Sequence, residues 1–372
     1  MRILHITPSY KPAFIYGGPI FSVGKLCESQ VAAGAQVSVY TTTANGAEEL
    51  PYAHETKMQE GVLVTYFPRV TKDHSHLSPA LWRALRKNLK SFDAVHIHSW
   101  WNFPVWEAVW ACRLAGIRPL LSPRGMLSPF TLQSKAKTLF HHWIGRHWLK
   151  RVQLHATTTQ EARELSQFVP GSQALIAPNI IELPTPLPAR NRKKKQTLQL
   201  LFLSRIHPKK GLEPLFQALV KMSFPWHLTI AGEGEDAYIE ALQTLAKKLG
   251  LEEKITWHGW ADQEAKAQLF AQTDLFVLTS HNENFANVVI EALALGVPVL
   301  LSKWVGLSDY VTNRKLGWVT STESPDILKQ LEQIAQQPEV CEEIGNLAPS
   351  RIHTDFDALA VAQQYLKIYQ EL

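Results

Sequence analysis

The sequence predicts an α/β protein built from two doubly wound domains, and three observations carry that prediction. Short β-branched runs alternate with longer stretches of helical periodicity along the whole chain. The alternation breaks once, at a proline-rich and then basic segment spanning residues 178–195. The 372 residues, 45% of them hydrophobic, are enough for two cores of ordinary size. No apolar run reaches the roughly 18 residues that a membrane-spanning helix needs.

In the first half the strand-like runs are residues 2–7, 37–43, 62–67, 94–98 and 119–122, with a helical pattern over 22–33. In the second they are 200–204, 227–231, 275–278 and 297–301, with a helix over 212–222. Runs of this length that are apolar throughout suit strands covered on both faces by crossover helices, which is the βαβ arrangement of parallel sheets. Between the halves, Pro178, Pro184, Pro186 and Pro188 precede Arg190-Asn191-Arg192-Lys193-Lys194-Lys195. Prolines and like charges cannot join a core, so this segment reads as a solvated linker. Ligands of doubly wound sheets bind at the carboxyl ends of the strands, so the motifs there matter most.

Charge is unevenly distributed. Residues 1–195 hold 24 Lys and Arg against 11 Asp and Glu, whereas residues 196–372 hold 14 against 22. A basic half suggests an anionic partner: nucleic acid, a membrane surface or a phosphorylated ligand. Cys27, Cys112 and Cys341 are odd in number, widely spaced and free of CxxC spacing. That argues against both a disulfide framework and a thiolate zinc site, and for a reducing compartment. The opening residues reach Thr7-Pro8 before an apolar signal region can form, so a cytoplasmic protein is expected.

Two segments carry the chemistry. Residues 279–296 follow a strand and end at Gly296. From Val288 to Leu295 every residue is apolar except Glu291, so a buried helix holding one carboxylate is expected, and that carboxylate needs donors. Glu283 precedes the helix, where free N–H groups suit an anionic ligand. Without a ligand, Glu283 reads as an N-terminal helix charge and Glu291 as the partner of an internal arginine. In the second segment, Arg205 and Lys210 follow the strand at 200–204. A planar fork and a point charge suit a diphosphate; a solvated basic loop is the alternative.

Taken together, Arg205 … Lys210-Gly211 followed by Glu283-x7-Glu291 resembles the signature of the retaining family 4 glycosyltransferases, also called glycosyl transferase group 1. Ala231-Gly232-Glu233-Gly234, Tyr16-Gly17-Gly18-Pro19, Ser122-Pro123-Arg124-Gly125 and Ala177-Pro178-Asn179 follow the same family order. The resemblance implies the GT-B fold, two doubly wound Rossmann-like domains facing across a cleft. It divides the chain into an acceptor-side domain (1–185), a donor-binding domain (196–352) and a C-terminal helix (353–372) packing back on the first domain.

It also implies roles. Arg205, Lys210 and Glu283 would be catalytic, the cations neutralising a leaving diphosphate. Gly17, Gly18, Gly234, Asn284, Phe285, Ala286, Asn287 and Glu291 would bind the donor, with Glu291 accepting from ribose hydroxyls. The donor would be a UDP-, GDP- or ADP-sugar, and the acceptor a saccharide or lipid-linked hydroxyl, as in cell-surface polysaccharide or glycolipid synthesis. No cofactor or metal is expected. Arg124 stands where many relatives have histidine, and cannot act as a base near neutrality; a clamp on an anionic group or a hydroxyl suits it better. Ala286 replaces the usual glycine, and Ile180 the glycine after Pro-Asn.

His96 and His98 alternate on a strand before Ser99-Trp100-Trp101. His98, with Trp100 or Trp101 as a stacking wall, is therefore an acceptor-side candidate alongside Arg124. No third metal ligand is evident beside the two histidines. Asp355-Phe356-Asp357 matches a DxD motif only as a string and reads as a helix N-cap. Residues 135–152 are basic, with Leu139, Trp143 and Ile144 at roughly helical spacing. That pattern suits either a helix packed on the core or one lying on an anionic membrane surface, peripheral to the inner face. The sequence thus points to a retaining hexosyltransferase. A GT-B nucleotide-sugar epimerase is the nearest alternative, and a basic nucleic-acid-binding module the alternative of another class, for which no recognised motif is present.

Overall fold

A computed structural model describes residues 1–128, 131, 134–184 and 197–372; the basic run 190–195 lies outside the described residues. The chain divides into two units, residues 1–182 with 356–372, and residues 183–355.

Unit 1 contains strands β1 (Arg2–Ile6), β2 (Gln36–Thr42), β3 (Ala44–Asn45), β4 (Glu48–Glu49), β5 (Thr56–Gln59), β6 (Val62–Phe67), β7 (Ala94–His98), β8 (Leu120–Ser122), β9 (Gln153–Ala156) and β10 (Leu175–Ile176). Its helices are α1 (Gly18–Ala32), α2 (Pro79–Asn88), α3 (Phe103–Ala115), α4 (Lys135–Phe140), α5 (Arg146–Leu149), α6 (Thr159–Phe168) and, from the end of the chain, α14 (Ala358–Gln370). The main sheet has the order β10-β9-β8-β7-β1-β2-β6-β5 and is parallel except for β5 against β6. Every residue of β7 and β8 is buried, as strands covered on both faces must be.

The period of two along β1 sorts its side chains. Leu4 and Ile6 join the core beneath α2 and α3, while Ile3 shares the other face with residues of α1 and α14. His5 shares that second face. Ser78, Asn102 and Thr158 cap α2, α3 and α6 through their side-chain oxygens, and Asp357 caps α14 in the same way.

Unit 2 contains β11 (Leu198–Leu203), β12 (Trp226–Ala231), β13 (Ile255–Gly259), β14 (Leu275–Leu278), β15 (Val299–Ser302) and β16 (Gly317–Thr320). Helices α7 (Leu212–Val220), α8 (Asp236–Lys248), α9 (Gln263–Gln272), α10 (Asn287–Ala294), α11 (Ser308–Arg314), α12 (Ser324–Ala335) and α13 (Pro338–Asp355) link and cover them. The sheet order β13-β12-β11-β14-β15-β16 is parallel throughout. Strand order therefore reverses between β11 and β14, and the loops leaving these strands flank the crevice where such sheets bind ligands.

Counted by unit, the charge split is shallower than the halves suggest. Unit 1 has 20 Lys and Arg against 13 Asp and Glu, and unit 2 has 18 against 20. The difference arises because the run at 190–195 falls in the second unit and α14 brings acids to the first. Among the described residues no helix is long and apolar enough to cross a membrane.

Candidate active site

The switch point of unit 2 brings together the two segments that the sequence singled out. After β11 the chain passes Arg205, forms a tight turn at Pro208–Lys210, and enters α7 through Gly211. Gly211 has φ +71°, and a Cβ there would lie 2.3 Å from the carbonyl oxygen of Thr279, so only glycine lets the turn rest on the end of β14. Two bonds hold it there: His281 N–H donates to Lys209 O at 2.7 Å, and Thr279 Oγ1 to Gly211 O at 3.1 Å.

The consequence is a buried ion pair. Lys210 Nζ donates to Glu283 Oε1, and both side chains are almost wholly enclosed. Glu283 is itself fixed from the other side, its N–H donating to Trp304 O at 3.0 Å and its carbonyl accepting from Gly306 N at 2.8 Å. Arg205 is exposed and makes no ion pair or hydrogen bond among the described residues. Its loop is anchored where Ile206 bridges Gly234. A Cβ at Gly234 would fall 2.2 Å from the Ile206 carbonyl oxygen, so this glycine is required by backbone contact whatever ligand it meets.

Two expectations need correction here. Glu291 is not a wholly buried carboxylate: its side chain is 23% exposed, and Lys266 on α9, not an internal arginine, approaches it at 3.4 Å. The helix is apolar on the sides that meet the core and open where Glu291 and Asn287 lie. Phe285 is buried, so it can offer a ligand backbone but no ring. Ala286 has φ +68° and stands at the N-terminus of α10, a left-handed position that glycine would adopt without strain. Asn284 and Asn287 are part-buried on either side of it.

In unit 1, Gly17 has φ +69° and ψ −138°, a region open to glycine alone, and it starts α1. Gly18 is exposed and regular. His98 and Trp100 do not face an open surface. Both are buried, Trp100 with no exposure at all in the core beneath α3, because the chain turns inward at Ser99, where φ is +82°. Trp101 is the part-exposed ring of the pair.

Histidine in unit 1 forms a network that sequence spacing did not reveal. His5 on β1 lies in register with His96 on β7, and with His98 the three present ring nitrogens all within 4.8 Å of one another. A third potential ligand is therefore present after all. Yet every nitrogen of the three is already hydrogen-bonded within the protein, and the Arg124 guanidinium beside them opposes a cation.

The bonds form one directed chain. Arg124 Nε–H donates to His98 Nδ1 (3.3 Å), His98 Nε2–H to His5 Nδ1 (2.9 Å), and His5 Nε2–H to Gln30 Oε1 (2.8 Å). Gln30 Nε2–H then donates to Tyr369 Oη (2.9 Å), and Tyr369 O–H to His96 Nδ1 (2.7 Å). His96 Nε2–H donates to Ser122 Oγ (2.6 Å), Ser122 O–H to His155 Nδ1 (2.7 Å), and His155 Nε2–H to Ala177 O (3.0 Å). One end can only donate and the other can only accept, so both ends impose the same tautomers, and all four imidazoles are neutral. Burial agrees, holding His5 down to about 4, His155 to about 3, and His96 and His98 well below the usual histidine range.

Comparison with known proteins assigns both halves of the chain to one family. The family model for glycosyl transferases group 1 matches residues 185–351, and that for the glycosyl transferase 4-like domain matches residues 17–179. The chain is a family 4 glycosyltransferase. It is 25% identical to glycogen synthase of Mycobacterium tuberculosis, over 98% of this chain and 94% of that one. It is 24% identical to D-inositol 3-phosphate glycosyltransferase of Streptomyces griseus, over 98% and 88%. In structure it resembles Anabaena HepE solved with UDP-glucose, with a TM-score of 0.71 and 20% identity over the full length of both chains. The glycosyltransferase has the GT-B fold, with a Rossmann-like sheet in each unit. Within unit 2 it joins Lys210 to Glu283 directly. Residues that sequence alone did not single out are Lys266 in unit 2 and His5, Gln30, His155 and Tyr369 in unit 1.

Proposed function

We propose that this glycosyltransferase moves a hexose from a nucleoside diphosphate sugar (UDP-, GDP- or ADP-linked) to a hydroxyl of a saccharide or lipid-linked acceptor, with retention of anomeric configuration, in cell-surface polysaccharide or glycolipid synthesis. The observation that carries the reading is the pairing of Lys210 with Glu283 at the switch point, beside an exposed Arg205 that has no partner among the described residues. The fold likeness to HepE, which was solved with UDP and with UDP-glucose, supports a nucleotide-sugar donor.

In this reading Arg205 and Lys210 take the diphosphate, and Lys210 exchanges a carboxylate for a phosphate. The charge that builds on the leaving oxygen is met by cations already in place, commonly a large catalytic effect. Glu283, released from Lys210, holds a hydroxyl of the transferred sugar, and Glu291 the ribose hydroxyls. The bond from the anomeric carbon to the phosphate breaks as the acceptor oxygen bonds on the same face, and the acceptor proton passes to the departing phosphate oxygen. The reaction needs no metal in this scheme, since the two side chains supply the positive charge.

Titration with UDP-, GDP- and ADP-glucose, read by melting temperature and by slow donor hydrolysis, tests the donor. Stabilisation by none of them would remove the reading. NMR of the product anomer tests retention, and an epimerised sugar formed from donor alone would favour the epimerase instead.

A membrane surface as second partner has its own observation. The segment 135–149 is helical with a π-type turn at His141–Gly145, and the extra residue per turn splits its apolar side chains. Leu149 is buried, with Phe140 and Trp148 packed on the core, whereas Leu139 (61%), Trp143 (69%) and Ile144 (42%) are exposed among Lys135, Arg146 and Lys150. Exposed apolar side chains on a basic helical segment fit an anionic bilayer. Sedimentation with phosphatidylglycerol vesicles, lost on Trp143→Ser, is the expected result; equal recovery with phosphatidylcholine would refute it.

A further inference from the structure

Arg124 is the terminus of the histidine chain, and among the described residues it is a cation without a counter-ion. Its Nε–H goes to His98, and its Nη1 donates to Ser22 Oγ (3.1 Å) and Asn179 Oδ1 (2.9 Å). Among the described residues its Nη2 has no partner, and no carboxylate forms an ion pair with it. Glu161 is the carboxylate whose field reaches it, but both Glu161 oxygens are already bonded: one accepts from Gly125 N (2.8 Å), the other from Thr157 N (2.7 Å) and Thr157 Oγ1 (2.8 Å).

The backbone adds to the case. Arg124 sits at φ +53°, where a residue with a Cβ is strained, in the loop leaving β8 at the carboxyl end of the sheet. A part-exposed arginine that merely filled space would lose charge solvation and gain no salt bridge. This one is aimed by three neutral acceptors, which fix its plane without neutralising it. That leaves one guanidinium nitrogen, with two N–H groups and no partner among the described residues, in the loop at the carboxyl end of this sheet.

The geometry points to an acidic acceptor. The ligand that unit 1 receives carries a carboxylate or a phosphate ester, and that group docks on Nη2 of Arg124. The excess of basic residues in unit 1 would draw such a ligand in. This deepens the transferase reading, because it names the chemical class of acceptor. Its test is independent of the donor site.

Saturation-transfer NMR on the full chain, held with UDP to occupy the donor site, would compare each anion with its neutral twin. Methyl β-D-glucuronide is set against methyl β-D-glucoside, and glycerol 3-phosphate against glycerol. The expected result is a preference for one anion in the wild type that Arg124→Gln weakens roughly ten-fold or more, with the neutral twin unchanged. Preference for the glucuronide identifies a sugar carboxylate, and preference for the glycerol phosphate a phosphate ester. Arg124→Lys, which keeps the charge but not the fork, should retain part of the preference.

Equal binding of the neutral twins to the wild type would overturn the proposal, even if Arg124→Gln proves misfolded by circular dichroism. So would a preference that survives Arg124→Gln, or an Arg124 dependence that appears only between UDP-glucuronate and UDP-glucose. Failure of UDP itself to bind, seen separately by calorimetry, would count against the donor reading and leave the glucuronide comparison intact.

Discussion

Lys210 and Glu283 are 73 residues apart in sequence and share one hydrogen bond at the point where strand order reverses. Each explains the other's burial, since neither charge could lie in that crevice alone. Lys210→Ala should therefore cost about 3 kcal/mol of stability and lower transfer by roughly 10²–10³ fold. Lys210→Ala combined with Glu283→Gln should cost less stability than Lys210→Ala alone, because the stranded carboxylate is gone. Urea melts of the three variants and a donor-consumption assay check this. Full activity in Lys210→Ala would show the site assignment to be wrong.

Glu291 makes a weaker contact, a half-open pair with Lys266. Such pairs contribute about 0–1 kcal/mol, so Lys266→Ala should leave both stability and nucleotide affinity nearly unchanged. Glu291→Gln should also fold normally but bind nucleotide about ten-fold more weakly, having lost a charged acceptor. Calorimetric titration with UDP distinguishes the two, and equal effects would mean that Glu291 serves Lys266 and not the ligand.

Acid should unfold unit 1 through its histidines. His5, His96, His98 and His155 take up protons near pH 6.5 when unfolded but not when folded, where His5 is held to about 4 and His155 to about 3. The unfolded state then binds more protons below pH 6.5, so stability is fully present above that pH and falls as pH drops toward 4. His76, held to about 4 by burial and by Arg69, adds one further proton. Urea midpoints at successive pH values should fall steeply below 6.5, and still do so in His76→Asn. A flat profile between pH 7 and 5 would contradict the neutral chain.

Tyr369 joins the two halves of that chain, accepting from Gln30 and donating to His96. Tyr369→Phe leaves both partners buried and unsatisfied, and should cost about 1–3 kcal/mol. Thermal melts would show it, and a neutral effect would mean that apolar packing and the bonds of Gln364 and Tyr365 to the end of β10 and the segment after it hold α14 without Tyr369.

Ala286 offers a test in the opposite direction. Ala286→Gly relieves a left-handed residue but loosens the unfolded chain, two effects of about 1 kcal/mol each, so stability should stay near the wild type. Ala286→Val should destabilise clearly, since a β-branched side chain tolerates that φ worst. Loss of the methyl should also let the loop from Glu283 to Asn287 accept a bulkier donor sugar, seen as a changed preference among hexoses.

Much of this was legible in the residues. The strands at 62–67, 94–98 and 275–278 have the bounds their β-rich runs suggest, and β14 at 275–278 shows why most plainly, being apolar throughout and buried on both faces. Arg205, Lys210 and Glu283 could be named because charges stood beside strand ends. The fate of Glu291 was harder to see: helical periodicity shows which faces are apolar, but not that α9 leaves a lysine beside the open one. Trp100 was misjudged for a related reason, since a positive φ at Ser99 turns the chain inward and no residue type signals it.

By itself, then, the sequence determined the class of fold, the two-unit plan and the presence of cations beside the end of β11, because each is written in local pattern or short spacing. Only the tertiary structure decided what the histidines do. His5, Gln30, His96, Ser122, His155 and Tyr369 come from four strands and two helices, one of them at the far end of the chain. Their order as a chain of donors and acceptors exists only once parallel register and the packing of α1 and α14 set them side by side, with Arg124 at its end and one nitrogen left to offer.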